Sequence, residues 1–276
     1  MMIDAHHHLW EYNQREYTWM DNSMEILKTD YLPADLEAEM AISGVTGTVA
    51  VQARQSLEET RWLLMLADQH TFVRGVVGWV DLQSDHLANR LTEFAGHSRL
   101  VGVRHVIHDE PDDEFMLRPA FVRGIRMLAD FGLTYDLLLF PKHLKPAIKL
   151  AGMCPGQKFV LDHMAKPFID TRILHPWKEE LKELSSFPNV WCKISGMVTE
   201  ADRRGWRYED FVPYMEVVME AFGPDRVMLG SDWPVCRLAA SYKDVMEIPG
   251  RFFRDFDMDV REKIFSRNAV SFYGLK

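Results

Sequence analysis

The sequence predicts one closed (β/α)8 barrel, and three observations lead to that fold class. Apolar stretches of strand length alternate with segments of helical periodicity, eight such strands can be counted, and the pattern fills nearly all of the 276 residues. Strands that alternate with helices are parallel, because each helix carries the chain back across the sheet. A doubly wound sheet fits less well, since no glycine-rich phosphate loop follows the first strand. No linker interrupts the chain, so a single domain is expected over residues 1–276.

Local signals place the helices of the first half. Pro33 begins a helix, because its missing N–H is unpaired in a first turn anyway, and Gly44 ends it. Ser56 with Glu59 predicts a capping box for the second helix, and Ser84 begins a third. The third helix has apolar residues at helical spacing, namely Leu87, Leu91, Phe94 and Ala95. The strands expected in this half start at Ile3 and cover 45–52, 73–81 and 100–107.

The second half continues the alternation. Residues 118–131 have helical periodicity, and residues 133–140 are almost continuously apolar, as expected for a strand buried on both faces. Further strands are expected at 158–163, 190–195 and 227–230, and further helices at 145–151, 177–187, 211–222 and 259–273, the last capped by Asp259. The aromatic segment 10–31 could line a pocket or pack against the barrel, and packing is favoured.

Composition limits the partners. With 47% hydrophobic residues the chain can bury a large core, and its formal charge of -9 argues against nucleic acid and against an anionic membrane surface. No apolar run approaches the roughly 20 residues that span a bilayer, and no secretory signal is present, so a cytoplasmic protein is expected. The three cysteines form no CxxC pair and are expected to be reduced and buried.

The first strand ends in three consecutive histidines, His6, His7 and His8. Side chains alternate along a strand, so His6 and His8 point to one face and His7 to the other. Two imidazoles on one face are either a structural pair or half of a metal or acid-base site. Partners from other strands decide between the two interpretations.

Strand ends supply such partners, because the carboxyl ends of all barrel strands meet at one mouth. Any one of these residues has an ordinary explanation: a hydrogen-bonded histidine, a paired charge, or an aspartate that turns the chain before a proline. Together they would be costly to bury unless a ligand or a metal uses them. The polar strand-end residues are His6, His8, Gln52, Arg104, His105, His163, Lys166, Lys193, Ser195 and Asp232.

These residues carry a resemblance to a known family. The chain resembles the amidohydrolase superfamily, in its amidohydrolase-2 branch, and within it the sugar-lactone hydrolase group that includes the fuconolactonases, rhamnonolactonases and sulfomuconolactonases. The similar segments are IDAHHHLW at 3–10, GVRH at 102–105, LDHMAKP at 161–167, KISG at 193–196 and GSDWPV at 230–235. The first histidine motif alone is weak, but its combination with the later histidine and aspartate in this order is specific.

The resemblance implies a distorted (β/α)8 barrel whose polar centre consists of His6, His8, His163 and Asp232. Metal-dependent relatives bind one or two divalent ions at these positions, with a lysine or histidine at the end of strand five. This chain has neither residue there, so a binuclear centre is not expected. Two cofactor expectations stay open: no metal, or one divalent ion, with zinc favoured, held by His6, His8 and Asp232.

Ester hydrolysis needs a base for water and an electrophile for the carbonyl oxygen. Asp232 is expected to be the base. The electrophile is either a divalent ion or His163 with cationic help from Arg104 or Lys166. The residues expected to contact substrate are Gln52, Arg104, His105 and Lys166 through hydrogen bonds and Trp10 and Trp233 as apolar walls.

The expected function is therefore hydrolysis of a sugar-acid or related lactone to its hydroxy acid, with this small molecule as the partner and a homo-oligomer left open. The nearest alternative is a metal-dependent amidohydrolase or decarboxylase acting on a cyclic or unsaturated carboxylic acid. A second alternative is a non-catalytic barrel that binds a sugar acid. A serine-nucleophile hydrolase is disfavoured because no GxSxG motif is present.

Overall fold

Eight parallel strands form the centre of the molecule, in a computed structural model that describes residues 1–94 and 96–276. They pair in chain order from β1 to β8, which confirms the predicted barrel. Ala95, which the sequence places in the third helix, lies outside the described residues. The strands are β1 Ile3–His7, β2 Gly47–Val51, β3 Val73–Gly78, β4 Leu100–His105, β5 Thr134–Leu137, β6 Phe159–Leu161, β7 Val190–Ile194 and β8 Val227–Leu229.

The segment that follows β8 closes the barrel against β1. Trp233 forms a parallel bridge with His7. The His8 amide donates to the Trp233 carbonyl at 2.7 Å, and the Asp232 amide donates to the His6 carbonyl at 2.8 Å. Closure therefore places Asp232 directly beside the histidines of β1.

Ten α-helical segments surround the strands in the described part of the chain. They are α1 Pro33–Ser43, α2 Leu57–Gln69, α3 Leu87–Phe94, α4 Pro119–Asp130, α5 Leu144–Met153, α6 Trp177–Ser185, α7 Tyr208–Phe222, α8 Tyr242–Phe252, α9 Met258–Glu262 and α10 Asn268–Tyr273. None of these described helices is long and apolar enough to span a bilayer. The three cysteines are buried and free, as predicted.

The structure differs from the sequence analysis at three places near the end of the chain. Helix α8 was not predicted, although Ser241 accepts a hydrogen bond from the Asp244 amide and caps it. The last helix begins at Met258 with Asp257 at the cap position, so Asp259 lies in the first turn, where it pairs with Lys263 and Arg267 instead of capping. A π-helical turn, Lys263–Arg267, joins α9 to α10.

The capping box predicted from Ser56 and Glu59 is confirmed only in part. The Ser56 hydroxyl accepts from the Glu59 amide at 3.0 Å, but the Glu59 carboxylate turns away from Ser56. It accepts instead from the amides of Ala53 and Arg54, at 3.0 and 2.8 Å. Glu59 thus fixes the loop that follows β2, which lies at the barrel mouth.

The aromatic segment 10–31 mostly packs, as favoured from the sequence, and contains a short 3-10 helix, Asn22–Leu27. The Trp10 ring is completely buried, and its indole N–H donates to the Thr29 carbonyl at 2.9 Å. Tyr17 and Tyr31 lie against that ring. This packing fixes the segment over the mouth, and Trp19 alone of these aromatics reaches the cavity described below.

Candidate active site

Three site residues have backbones in the left-handed region. Asp232 has φ of 58°, and the turn after β6 has φ between 50° and 60° at His163, Met164, Ala165 and Lys166. Non-glycine residues avoid this region because Cβ approaches the carbonyl oxygen, at a cost of about 1–2 kcal/mol each. Such strain persists only where surrounding structure holds it, and it is concentrated at functional sites. Here the left-handed backbone places the side chains of His163, Lys166 and Asp232 in the wall of the cavity at the barrel mouth.

Four side chains predicted from the sequence meet at this point. Asp232 Oδ1 lies 3.4 Å from His8 Nε2, 3.8 Å from His6 Nε2 and 3.8 Å from His163 Nε2. His6 Nε2 and His8 Nε2 are 3.3 Å apart. All four side chains are buried, so the sequence grouped them correctly in space, while their chemical roles stay predictions.

The hydrogen bond of His8 fixes its tautomer. Nδ1 lies 2.8 Å from the Val51 carbonyl, which can only accept, so Nδ1 carries the proton and Nε2 presents a lone pair. That lone pair faces Asp232 Oδ1, another acceptor. Two acceptors at 3.4 Å attract each other only with a proton or a cation between them.

Asp4 fixes the Asp232 turn from behind. Asp4 Oδ1 accepts from the amides of His6 and Ser231, at 3.1 and 2.9 Å. Asp4 Oδ2 accepts from the hydroxyls of Ser231 and Tyr242, at 2.6 and 3.1 Å. Burial raises the pKa of Asp4, while these donors lower it. The strand and the turn that carry the site are therefore held by one buried carboxyl group.

Burial and the neighbouring charged groups set the protonation states of the site residues. Burial holds the pKa of His6 and of His163 well below the usual range, so both rings are neutral near pH 7. Burial opposes ionisation of Asp232, but its interactions with His163 and His8 outweigh burial, and the pKa of Asp232 falls below its usual value. The site thus combines neutral imidazoles with an ionised carboxylate, which is free to accept a proton.

The donor set also fits one divalent ion. Zinc bonds of about 2.0–2.2 Å to nitrogen and oxygen place tetrahedral ligand atoms roughly 3.3–3.6 Å apart. The separations among His6 Nε2, His8 Nε2 and Asp232 Oδ1 are 3.3, 3.4 and 3.8 Å, close to that range. The lone pair on His8 Nε2 is of the type that zinc binds. These three residues would hold the ion.

A cavity of about 270 Å³ opens beside this centre. Its polar wall includes Arg104, Lys166 and Glu200 in addition to His8, His163 and Asp232. Lys166 Nζ lies 2.9 Å from Glu200 Oε1. The apolar part of its wall consists of Trp19, Met24, Ala53, Val106, Leu138, Val235 and Leu238. The volume is at the lower end for ligand sites and fits a single small molecule.

Four residues predicted to contact substrate do not line this cavity. Gln52 is buried, and its amide donates to the Arg104 carbonyl at 3.3 Å. His105 follows Arg104 on β4 and therefore points to the opposite face, where it pairs with Glu110 at 2.7 Å. Trp10 and Trp233 are buried, and each packs edge-on against the ring of Tyr31. These four residues support the site from behind the cavity wall.

Sequence reasoning named Arg104 and Lys193 but did not predict the buried charge network that joins them to Asp136 and Asp162 beneath the histidines. Lys193 Nζ lies 2.5 Å from Asp136 Oδ2, 2.9 Å from Asp162 Oδ1 and 3.2 Å from His6 Nδ1. Arg104 Nη1 lies 3.2 Å from Asp162 Oδ2. Two cations balance two carboxylates, which lowers the cost of burying them. The available signal was a charged residue inside each of the apolar strands β5 and β7.

Another missed residue is His108, which lines the cavity beyond β4. Its ring stacks on Phe140 with centroids 4.7 Å apart, and burial lowers its pKa to about 3. Within the described residues, its buried Nδ1 has no hydrogen-bond partner. A neutral ring with a free nitrogen can bind a hydroxyl group of a ligand.

Gly196 leaves open the space that the His163 ring occupies. A Cβ atom at Gly196 would lie 2.6 Å from His163 Nδ1, and φ is 62°. We expect Gly196→Ala to displace the ring by up to about 1 Å and to lower kcat/KM about 100-fold. Gly44→Ala is the matched control, since Gly44 has φ of 72° but open space around its Cβ position. Equal activity of the two variants, measured after their unfolding temperatures are compared, would contradict this role.

The barrel, the strained turns and the His-Asp centre define the class of protein. A sequence model of the amidohydrolase family, of the Amidohydro_2 type, matches residues 3–275, and the chain belongs to this family. An L-fucono-1,5-lactonase of Burkholderia multivorans is 39% identical over 262 residues, which cover 91% of this chain and 88% of the relative. An L-fucono-1,5-lactonase of Burkholderia ambifaria is 35% identical over 281 residues, covering 98% and 94%.

A solved structure has nearly the same fold. The crystal structure of an amidohydrolase from Burkholderia multivorans with bound zinc has a TM-score of 0.96 to this chain, 37% identity and 100% coverage of both chains. This similarity and the family match confirm the fold class and the family predicted from the sequence motifs.

Proposed function

We propose that the protein hydrolyses the lactone of a sugar acid to the open hydroxy acid, as one catalytic unit over residues 1–276. The observation that carries this proposal is the Asp232 carboxylate, which lies within 3.8 Å of His6, His8 and His163 at the wall of a small cavity. The two lactonase relatives support the substrate class.

Asp232 acts as the general base in this proposal. Its close polar contacts within the described residues all run through Oδ1, toward His6, His8 and His163. Oδ2 is therefore left to accept a proton from a water molecule that attacks the lactone carbonyl. The same carboxyl group then returns the proton to the departing ring oxygen.

Positive groups at the cavity wall stabilise the negative charge on the carbonyl oxygen. Arg104 supplies a permanent cation, and His163 Nε2 carries a proton toward the cavity when the Ser195 hydroxyl donates to Nδ1 at 2.8 Å. An ion held by His6, His8 and Asp232 would supply a Lewis acid for the same oxygen. The protein's own groups provide both the base and the electrophile.

The pair of Lys166 and Glu200 suits a substrate with hydroxyl groups. An ammonium and a carboxylate 2.9 Å apart can donate to one hydroxyl and accept from its neighbour. Both groups line the cavity, and their side chains are only 16% and 21% exposed. This arrangement favours a polyhydroxy lactone over an unsubstituted one.

Lys166→Met tests this recognition. A hydrogen bond to a charged group contributes about 1.5–3 kcal/mol, so we expect kcat/KM for an aldonolactone to fall roughly 10- to 100-fold. Opening of δ-valerolactone, which has no hydroxyl substituents, should change little. Parallel assays of both lactones with wild type and variant measure the selectivity. An equal loss of kcat/KM on both substrates would show that Lys166 does not recognise the hydroxyl groups of the substrate.

A screen of aldonolactones with a pH indicator, run with and without chelator, tests the function itself. We expect opening of at least one six-membered sugar lactone, with part of the activity surviving chelation because Arg104 and His163 remain. Complete loss with chelator and recovery with zinc would favour a metal-dependent mechanism. Release of carbon dioxide from an unsaturated acid would favour the decarboxylase alternative, and saturable binding without opening would favour the non-catalytic barrel.

A further inference from the structure

His6 lies between Arg104 and Lys193, an arrangement that the proposed reaction does not explain. Both ring nitrogens face a basic side chain. Arg104 Nη1 lies 3.3 Å from Nε2, and Lys193 Nζ lies 3.2 Å from Nδ1. His6 is also one of the three residues whose donor atoms fit a divalent ion.

Arg104 and a metal ion need the same lone pair. A guanidinium has five N–H donors and no acceptor, so its contact with His6 Nε2 uses the lone pair of that nitrogen. A divalent ion bound at Nε2 would have to displace this donor and would lie close to its positive charge. Like charges in a buried site repel strongly because little water screens them.

Arg104 has little freedom to move away. Its side chain is 4% exposed. One terminal nitrogen donates to Asp162 Oδ2 at 3.2 Å, and the other donates to the Gln52 carbonyl. The guanidinium is thus fixed at its position from two sides, as a resident part of the centre.

Lys193 Nζ and Asp162 Oδ1 both lie beside the other nitrogen of the ring, Nδ1, at 3.2 and 3.3 Å. A neutral imidazole has one proton, so the tautomer whose Nε2 lone pair accepts from Arg104 carries that proton on Nδ1, facing Asp162. The same tautomer is the one that would bind an ion through Nε2. Arg104 and the ion therefore compete for one lone pair.

We propose that Arg104 is a built-in cation that competes with a divalent ion for Nε2 of His6, so that this chain binds metal weakly. The inference deepens the proposed function, on which it rests for the role of the centre. In this arrangement the positive charge near the reacting carbonyl belongs to Arg104, which is part of the chain and cannot dissociate as a bound metal ion can. Neutralising residue 104 should therefore tighten metal binding.

Zinc titration of the metal-free protein, without any lactone, tests this inference. We expect a wild-type Kd weaker than about 1 μM, and a Kd at least about tenfold tighter for Arg104→Met, which keeps an unbranched side chain without charge. Cobalt titration with its visible absorption reports whether nitrogen ligands bind the ion. Circular dichroism shows whether the variant is folded.

Lys166→Met is the matched control, because it removes another cavity cation that does not contact His6. Its Kd for zinc should stay within about twofold of wild type if contact with Nε2 is what matters. Equal tightening in both variants, or no tightening in Arg104→Met, would overturn the proposal. If Arg104→Met does not fold, a wild-type Kd in the nanomolar range overturns the proposal and a micromolar or weaker one supports it. Failure of the lactone screen would appear separately, because no substrate enters this titration.

Discussion

Asp232→Asn is expected to lower kcat/KM for lactone opening about 1000-fold, the middle of the range for loss of a general base. The amide keeps the shape of the carboxylate but cannot take a proton from water. Folding should be retained, because the turn is held through the Asp232 amide and through Asp4. Steady-state kinetics together with the unfolding temperature measure both effects.

Asp109→Asn provides the comparison, since Asp109 is another aspartate of the same cavity wall and does not contact the histidines of β1. Its activity loss should be far smaller. Retention of most activity by Asp232→Asn, or equal losses in the two variants, would reject Asp232 as the base.

Lys193→Met should produce the largest stability loss. Lys193 is completely buried between Asp136 and Asp162, and removing one partner of a buried ion pair costs about 3–5 kcal/mol. Chemical denaturation measures the difference in unfolding free energy. Lys145→Met is the control, since Lys145 is exposed and its pair with Glu180 at 3.6 Å contributes about 1 kcal/mol or less.

The pH dependence distinguishes lost charge pairing from a simple packing defect. Burial raises the pKa of Asp136 to about 6, although Lys193 lowers it. Without the ammonium this pKa rises further, so the folded state holds a proton that the unfolded state loses above about pH 4. The stability of Lys193→Met must therefore fall more steeply than that of wild type as pH rises from 5 to 8. A loss that is the same at both pH values would indicate packing alone.

The sequence predicted the barrel because its signals are local. Each strand is an apolar run, and each helix has its own periodicity or cap, as in Pro33–Ser43 and Ser56 before Leu57–Gln69. His6 and His8 were predicted to share a face from strand alternation alone. Their partners Asp232 and His163 came from their positions at strand ends and from the family motifs.

The rest of the site depends on long-range geometry. Lys193 and Asp136 are separated by 57 positions, and only barrel closure brings them together. The left-handed turn from His163 to Lys166 contains no glycine that would signal it. Alternation also stops where β1 ends at His7, so Trp10 could not be assigned a face by counting from His8.

Labelled water gives the most direct test of Asp232 as a general base. A single turnover with enzyme in excess, carried out in H2¹⁸O, should place one ¹⁸O atom in the carboxylate of the hydroxy acid and none in Asp232. Unlabelled product together with ¹⁸O in the Asp232 side chain would show that this carboxylate attacks the lactone as a nucleophile, and would contradict the proposed mechanism.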